Sequence, residues 1–150
     1  MADLYEEITV NEKREKVFAF ASDLQNSPEV LANVVEVNKL TDGPVEKGTE
    51  FEEVRQFRNR RVGSIIKVKS YDPPSGYAVE SENRGLLVTY TYTFAEKDGQ
   101  TKIIFEGNVT TRGFVMKMMR PLMVRMLKKE DGEHLVSLKN AIEKRNELPE

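Results

Sequence analysis

Few side chains in this sequence could do chemistry, and the missing types narrow the field. His134 is the only histidine and cysteine is absent. A Cys nucleophile, a disulfide and a conventional zinc site therefore lack their ligands. His134 stands beside Glu130, Asp131 and Glu133, a setting that predicts an exposed ring. The chain suggests no Ser-His-Asp arrangement and contains no Gly-rich phosphate loop. Acid–base chemistry would fall to Glu, Asp, Tyr or Lys inside a cavity. Glu52, Glu80 and Glu106 sit on segments that read as strands. Solvent is their expected side, because a buried unpaired carboxylate is costly. On this reading there is no catalytic residue, no metal and no cofactor to assign.

Residues suited to binding are easier to name. Met116, Met118, Met119, Met123 and Met126 are five of the six methionines, within eleven positions. Met is flexible and polarizable, and surfaces that accept varied apolar partners overuse it. The run is either an adaptable cavity wall or ordinary core filling. At about 100° per residue, the apolar positions from Phe114 to Leu127 cover more than half of a helix, more than one buried stripe needs. Lys117, Arg120, Arg125 and Lys128 gather within about two-fifths of the circumference, and no acid lies between Arg112 and Lys129. A basic face opposite a broad apolar face suits transient contact with a membrane surface. The plainer reading is a solvated face balanced by the acids that follow. Tyr90 and Tyr92 would point inward and offer hydroxyls to a ligand or to water. Arg55, Arg58, Arg60 and Arg61 read as a solvated hairpin tip, since no stacking aromatics interleave them.

The elements that must position these residues follow from periodicity. Leu4 to Val10 reads as a strand. Asn11 is the expected cap of a helix that places Val17, Phe20, Ala21 and Leu24 on one face. Ser27-Pro28 starts a second, short helix ending near Ala32. Strands follow over Val34–Leu40, Glu50–Phe57, Val62–Tyr71, Tyr77–Glu82, the segment holding Val88, Tyr90, Tyr92 and Phe94 on one face, and Thr101–Thr111. Short turns favour antiparallel neighbours. A long helical stretch from Gly113 to Asn146 ends the chain, with a kink or break expected near Pro121. Its earlier part is expected to form a lip on a cavity. The whole reads as one α+β domain over residues 1–150: seven antiparallel strands curved around a long C-terminal helix, with two short helices after the first strand.

Composition agrees with a soluble protein. The 23 basic and 25 acidic residues give a net charge of -2, so no global field attracts nucleic acid. There is no apolar run long enough to span a bilayer, and the N-terminus lacks the regions of a signal peptide. A cytoplasmic location is the expectation.

The signposts along the chain are Lys16-Val17-Phe18, Ser22-Asp23 and Pro28, then Lys47-Gly48-Thr49-Glu50-Phe51 and Tyr71-Asp72-Pro73-Pro74. Gly99-Gln100-Thr101-Lys102-Ile103, Arg112-Gly113, Pro121-Leu122-Met123 and Leu138-Lys139-Asn140-Ala141-Ile142-Glu143 complete them. In this order they resemble the helix-grip (SRPBCC) superfamily of START-like, pollen-allergen-like and polyketide cyclase/dehydrase-like domains, over nearly the whole chain. Many members carry a Trp just after the proline near position 28; this chain has none, which bears on the pocket rim rather than the fold. The resemblance implies a container for an apolar or amphipathic small molecule, lipid-, quinone- or polyketide-like. Tyr90, Tyr92, Phe94, Phe105, Met119, Leu122, Met123 and Met126 are the expected lining. Binding or transport without chemistry is the favoured function. A polyketide cyclase or dehydratase, and a co-chaperone-like interaction module, are the alternatives.

Overall fold

The computed structural model describes residues 2–83, 85–131 and 134–147. Strand β1 (Leu4–Val10) leads to α1 (Arg14–Ser22), a 3-10 turn (Leu24–Asn26) and α2 (Ser27–Val30). Six strands follow: β2 (Val34–Lys39), β3 (Glu50–Phe57), β4 (Arg60–Asp72), β5 (Gly76–Asn83), β6 (Leu86–Lys97) and β7 (Gln100–Thr111). The chain continues into α3 (Phe114–Asp131) and α4 (His134–Glu147).

The strands form one antiparallel sheet in the order β1-β7-β6-β5-β4-β3-β2. This is the expected helix-grip fold. Register shifts at Val34/Glu36 and Val68/Ser70 mark irregularities of the kind that bend and twist a strand. Gly107 helps the layers close. A Cβ there would stand 3.2 Å from Leu4 Cβ and from the Tyr90 ring, so a larger residue would push these side chains outward by a few tenths of an ångström.

α1 begins later than Asn11 predicts, and its N-terminus is capped from afar. Lys13 is the N-cap residue without a side-chain bond, and the Arg14 N–H donates to Glu96 Oε1 of β6 at 2.9 Å. The carboxylate thus serves an orphan donor that the local sequence leaves open. Asn11 instead donates its backbone N–H to Glu143 of α4. The Arg cluster also divides: β4 starts at Arg60, leaving Arg58 and Asn59 as the turn.

The core joins α1, the sheet and α4. Val17, Phe18, Phe51, Val68, Phe94, Ile103 and Phe105 meet Leu135, Leu138 and Ile142 there, all buried. The α4 stripe is the one its spacing predicts. α3 does not break at Pro121, which lies inside the helix. Pro121 is exposed, so the Lys117 carbonyl that it leaves unbonded can turn to water.

Candidate functional site

The sheet and α4 do not fill the space between them. A cavity of about 330 Å³ lies there. Phe20, Leu24, Val30 and Leu31 wall it from the helical side, and Val62, Ile66, Val79, Val88 and Tyr90 from strands β4 to β6. Tyr77, Tyr92 and Phe105 form an aromatic floor. Leu127, His134 and Leu138 complete the wall from the C-terminal helices.

The floor is a layered stack. Tyr77 and Tyr92 lie nearly parallel with centroids 4.6 Å apart, and Tyr90 stacks on Phe105 at 5.2 Å. Alternation on β5, β6 and β7 puts these rings on one face. The Tyr77 hydroxyl donates to the Ala21 carbonyl at 3.0 Å, so its polar end is satisfied by α1. Burial pushes its pKa well above the ordinary phenol value.

Into this apolar setting three elements bring polar groups. From β3, Glu53 and Arg55 face inward with Phe51, and Arg55 Nε donates to Glu53 Oε1 at 2.7 Å. From α4, His134 Nε2 lies 2.7 Å from the Tyr92 hydroxyl of β6. The imidazole also meets the edges of Tyr92 and Phe105, at centroid distances of 5.8 and 5.5 Å. Burial, with the Arg55 charge adding to it, lowers the His134 pKa to about 4. The ring is therefore neutral at pH 7. Its Nδ1 is buried without a hydrogen-bond partner among the described residues. A buried polar atom in that state costs about 1–3 kcal/mol, which a bound partner could relieve.

His134 thus departs from its expected exposure. It stands four residues before Leu138 and eight before Ile142, on the stripe that α4 buries; that spacing, rather than the adjacent acids, decides its side. Arg55 departs likewise from the solvated hairpin tip, and Glu53 is a strand carboxylate that faces inward. Both follow from period two: if Phe51 is inside, so are positions 53 and 55. Glu52 and Glu80 make other pairs, with Asn38 and Lys69.

Of the expected lining, Tyr90, Tyr92 and Phe105 face the cavity. Phe94 does not. It lies two residues past Tyr92, about 7 Å farther along the strand, packed on Phe18 and Tyr77 and 2% exposed. Met119, Leu122 and Met126 are on the solvent side, and Met123 is half-buried without reaching the cavity. The face of α3 that turns inward carries Met116, Arg120, Met123, Val124 and Leu127. Val124 and Leu127 join the core. Arg120 leaves the expected basic face: its Nη2 donates to Asp3 Oδ1 at 2.6 Å and its Nε to the Val109 carbonyl at 3.2 Å. No helix among the described residues is long and apolar enough to cross a membrane.

The sequence profile of the family described as polyketide cyclase / dehydrase and lipid transport matches residues 1–143. The chain belongs to that family. No curated protein matches it in sequence. Among solved structures, the Zhui aromatase/cyclase from Streptomyces sp. R1128 is 13% identical with a TM-score of 0.73, covering 96% of this chain and 92% of that one. The di-domain ARO/CYC BexL from the BE-7585A biosynthetic pathway is 12% identical with a TM-score of 0.79, covering 97% of this chain and 47% of that one. Ara h 8.0201 is 15% identical with a TM-score of 0.71, covering 94% and 97%. Likeness at such identities establishes the fold that the polyketide cyclase/dehydrase and lipid transport family shares; what this member does rests on its own site.

Proposed function

We propose that the protein binds or carries a small amphipathic molecule in the cavity without transforming it. The observation that carries this reading is a mostly apolar hollow of about 330 Å³ on which a few polar groups converge. Ligand pockets have that make-up, and this volume lies near the small end of their range of about 300–1,000 Å³. A compact ring-bearing body would lie against Tyr90, Phe105 and Val88. Its polar end would meet the Glu53–Arg55 pair and the His134–Tyr92 pair. Burial of apolar ligand surface would supply most of the affinity, while the polar groups would fix orientation.

The second reading is a cyclase or dehydratase. What favours it is the Glu53 carboxylate inside the cavity, together with the neutral imidazole bonded to a tyrosine hydroxyl. Glu53 or His134 would act as base and Tyr92 as acid, with Arg55 beside an oxygen that gains negative charge. A collapsed, fully packed interior would favour the reading as an interaction module; the cavity favours a small ligand.

Native mass spectrometry of the protein purified from its own cells tests the first reading. A retained small molecule is expected, and it should be absent from Ser81→Phe, because Ser81 of β5 lines the cavity and the added ring would occupy it. A ligand-free protein whose melting temperature no lipid, quinone or aromatic compound raises would overturn it. A ligand recovered in chemically altered form would move the choice to the enzyme.

A further inference from the structure

The outward face of α3 is unlike any other surface of the described residues. Phe114, Val115, Met118, Met119, Leu122 and Met126 are large apolar side chains with 37% to 76% of their surface in water. At 100° per residue they cover a continuous arc of about 140°. On the same helix Lys117 and Lys128 are exposed just beside this arc, and Arg125 and Lys129 are exposed within it, toward its Phe114 side. The stretch from Gly113 to Lys129 contains no acid, in a chain whose net charge is -2. Apolar side chains flanked by cations, on a helix already formed and already seated on the fold by Val124 and Leu127, match the interfacial zone of a bilayer with anionic headgroups.

We propose that α3 docks the protein on an anionic membrane surface, its apolar arc among the outer acyl segments and its basic residues at the headgroups. Charge decides between this and a second copy of the chain. A two-fold contact between α3 faces would set Lys117, Arg125, Lys128 and Lys129 against themselves, with no acid in the stretch to answer them. An anionic lipid surface supplies the missing sign. The same helix reaches the cavity: Leu127, next to Met126 of the arc, lines it from the inner face, so the docking surface and the site lie on opposite sides of one turn. The docking stands independently of what the cavity holds.

The test is co-sedimentation of the full chain with vesicles of phosphatidylcholine alone and of phosphatidylcholine with about 30% phosphatidylserine. Binding to the anionic vesicles is expected, weakening as salt is raised. Neutralising Lys117, Arg125 and Lys128 to Gln should weaken it by about a hundredfold, at roughly fivefold per charge. Met118→Asp with Leu122→Asp should abolish it while leaving the melting temperature and the retained cavity ligand as they were. A folded protein that ignores both vesicles overturns the proposal. So does binding that is equal on the two vesicles, or that survives the double Asp variant. A concentration-dependent dimer that Met118→Asp with Leu122→Asp dissolves, in a protein that leaves vesicles alone, would assign the arc to a second copy instead.

Discussion

The last two helices carry comparable apolar stripes and meet opposite fates. α4 puts Leu135, Leu138 and Ile142 at 2–4% exposure. α3 leaves Met118, Leu122 and Met126 in water, with 48–69% of their surface exposed. Helical spacing specifies which residues share a face; it does not specify what that face meets. For α4 the partner is the concave side of the sheet and α1. For α3 only the inner edge finds β7 and the core, and the arc that looks most like a core stripe is the one left outside. Apolar periodicity near a sheet therefore reads as burial for one helix and as a docking surface for the other.

The sharpest way to break this comparison is to cut the same side chain in both helices. Leu135→Ala opens a cavity in a packed site, where the side chain is 2% exposed, and should cost about 4 kcal/mol. Leu122→Ala removes surface already in water and should cost no more than about 0.5 kcal/mol. Urea unfolding of the two variants reads the difference directly. Equal losses would mean that α3 is packed in solution and that its outward arc is covered.

The interior has a contrast of its own, between its aromatic floor and its polar groups. Arg55→Met removes one partner of the ion pair and leaves the Glu53 carboxylate buried among apolar walls. A loss of about 3 kcal/mol is expected at neutral pH. Adding Glu53→Leu should recover much of that loss, because two apolar residues then replace two charges. A double variant that is less stable than Arg55→Met alone would contradict this account.

These two residues also show where the sequence was legible and where it was not. The succession of strands along the chain, the β6 face of Val88, Tyr90 and Tyr92, and the α4 stripe follow from local periodicity. Glu53 and Arg55 were legible too, through the alternation that starts at Phe51. The expectation that charge seeks water hid them. His134 carried both signals at once: acids next to it in sequence, and Leu138 one turn away. The spacing prevailed because tertiary packing acts on the whole face of a helix. What no local pattern could supply was the direction of α3, since the register of Arg120 against Asp3 joins residues 117 positions apart.

His134 gives the comparison a pH dependence. Its folded pKa is about 4, below its ordinary value of 6.5. The unfolded chain therefore binds a proton between those values while the folded one does not. Stability is fully present above about pH 6.5 and is lost as pH falls toward 4. The loss should reach about 2–3 kcal/mol at pH 4.5, at 1.36 kcal/mol per pKa unit. His134→Gln keeps a hydrogen-bonding partner near Tyr92 and cannot titrate, so its urea midpoint should vary less across this window. An identical slope in the variant would place the titration elsewhere.

The smallest expected effect concerns how α3 is held. Burial raises the Asp3 carboxyl, but the Val109 N–H and Arg120 outweigh it and lower its pKa below the usual value. Asp3 Oδ2 accepts from the Val109 N–H at 2.8 Å, and Asp3 Oδ1 from Arg120, so one carboxylate joins α3 to β7. Arg120 is half in water, with 38% of its side chain exposed, and Arg120→Ala should lower global stability by no more than about 1 kcal/mol. The consequence for motion is larger than that figure suggests. α3 has few buried contacts besides Val124 and Leu127, so this polar link is a sizeable part of what seats it. Amide exchange at Met118 to Met126 should speed up in Arg120→Ala, while exchange around Leu138 stays as it was. Acceleration in both helices alike would show that they open as one unit, and that the contrast between them is one of surface and not of stability.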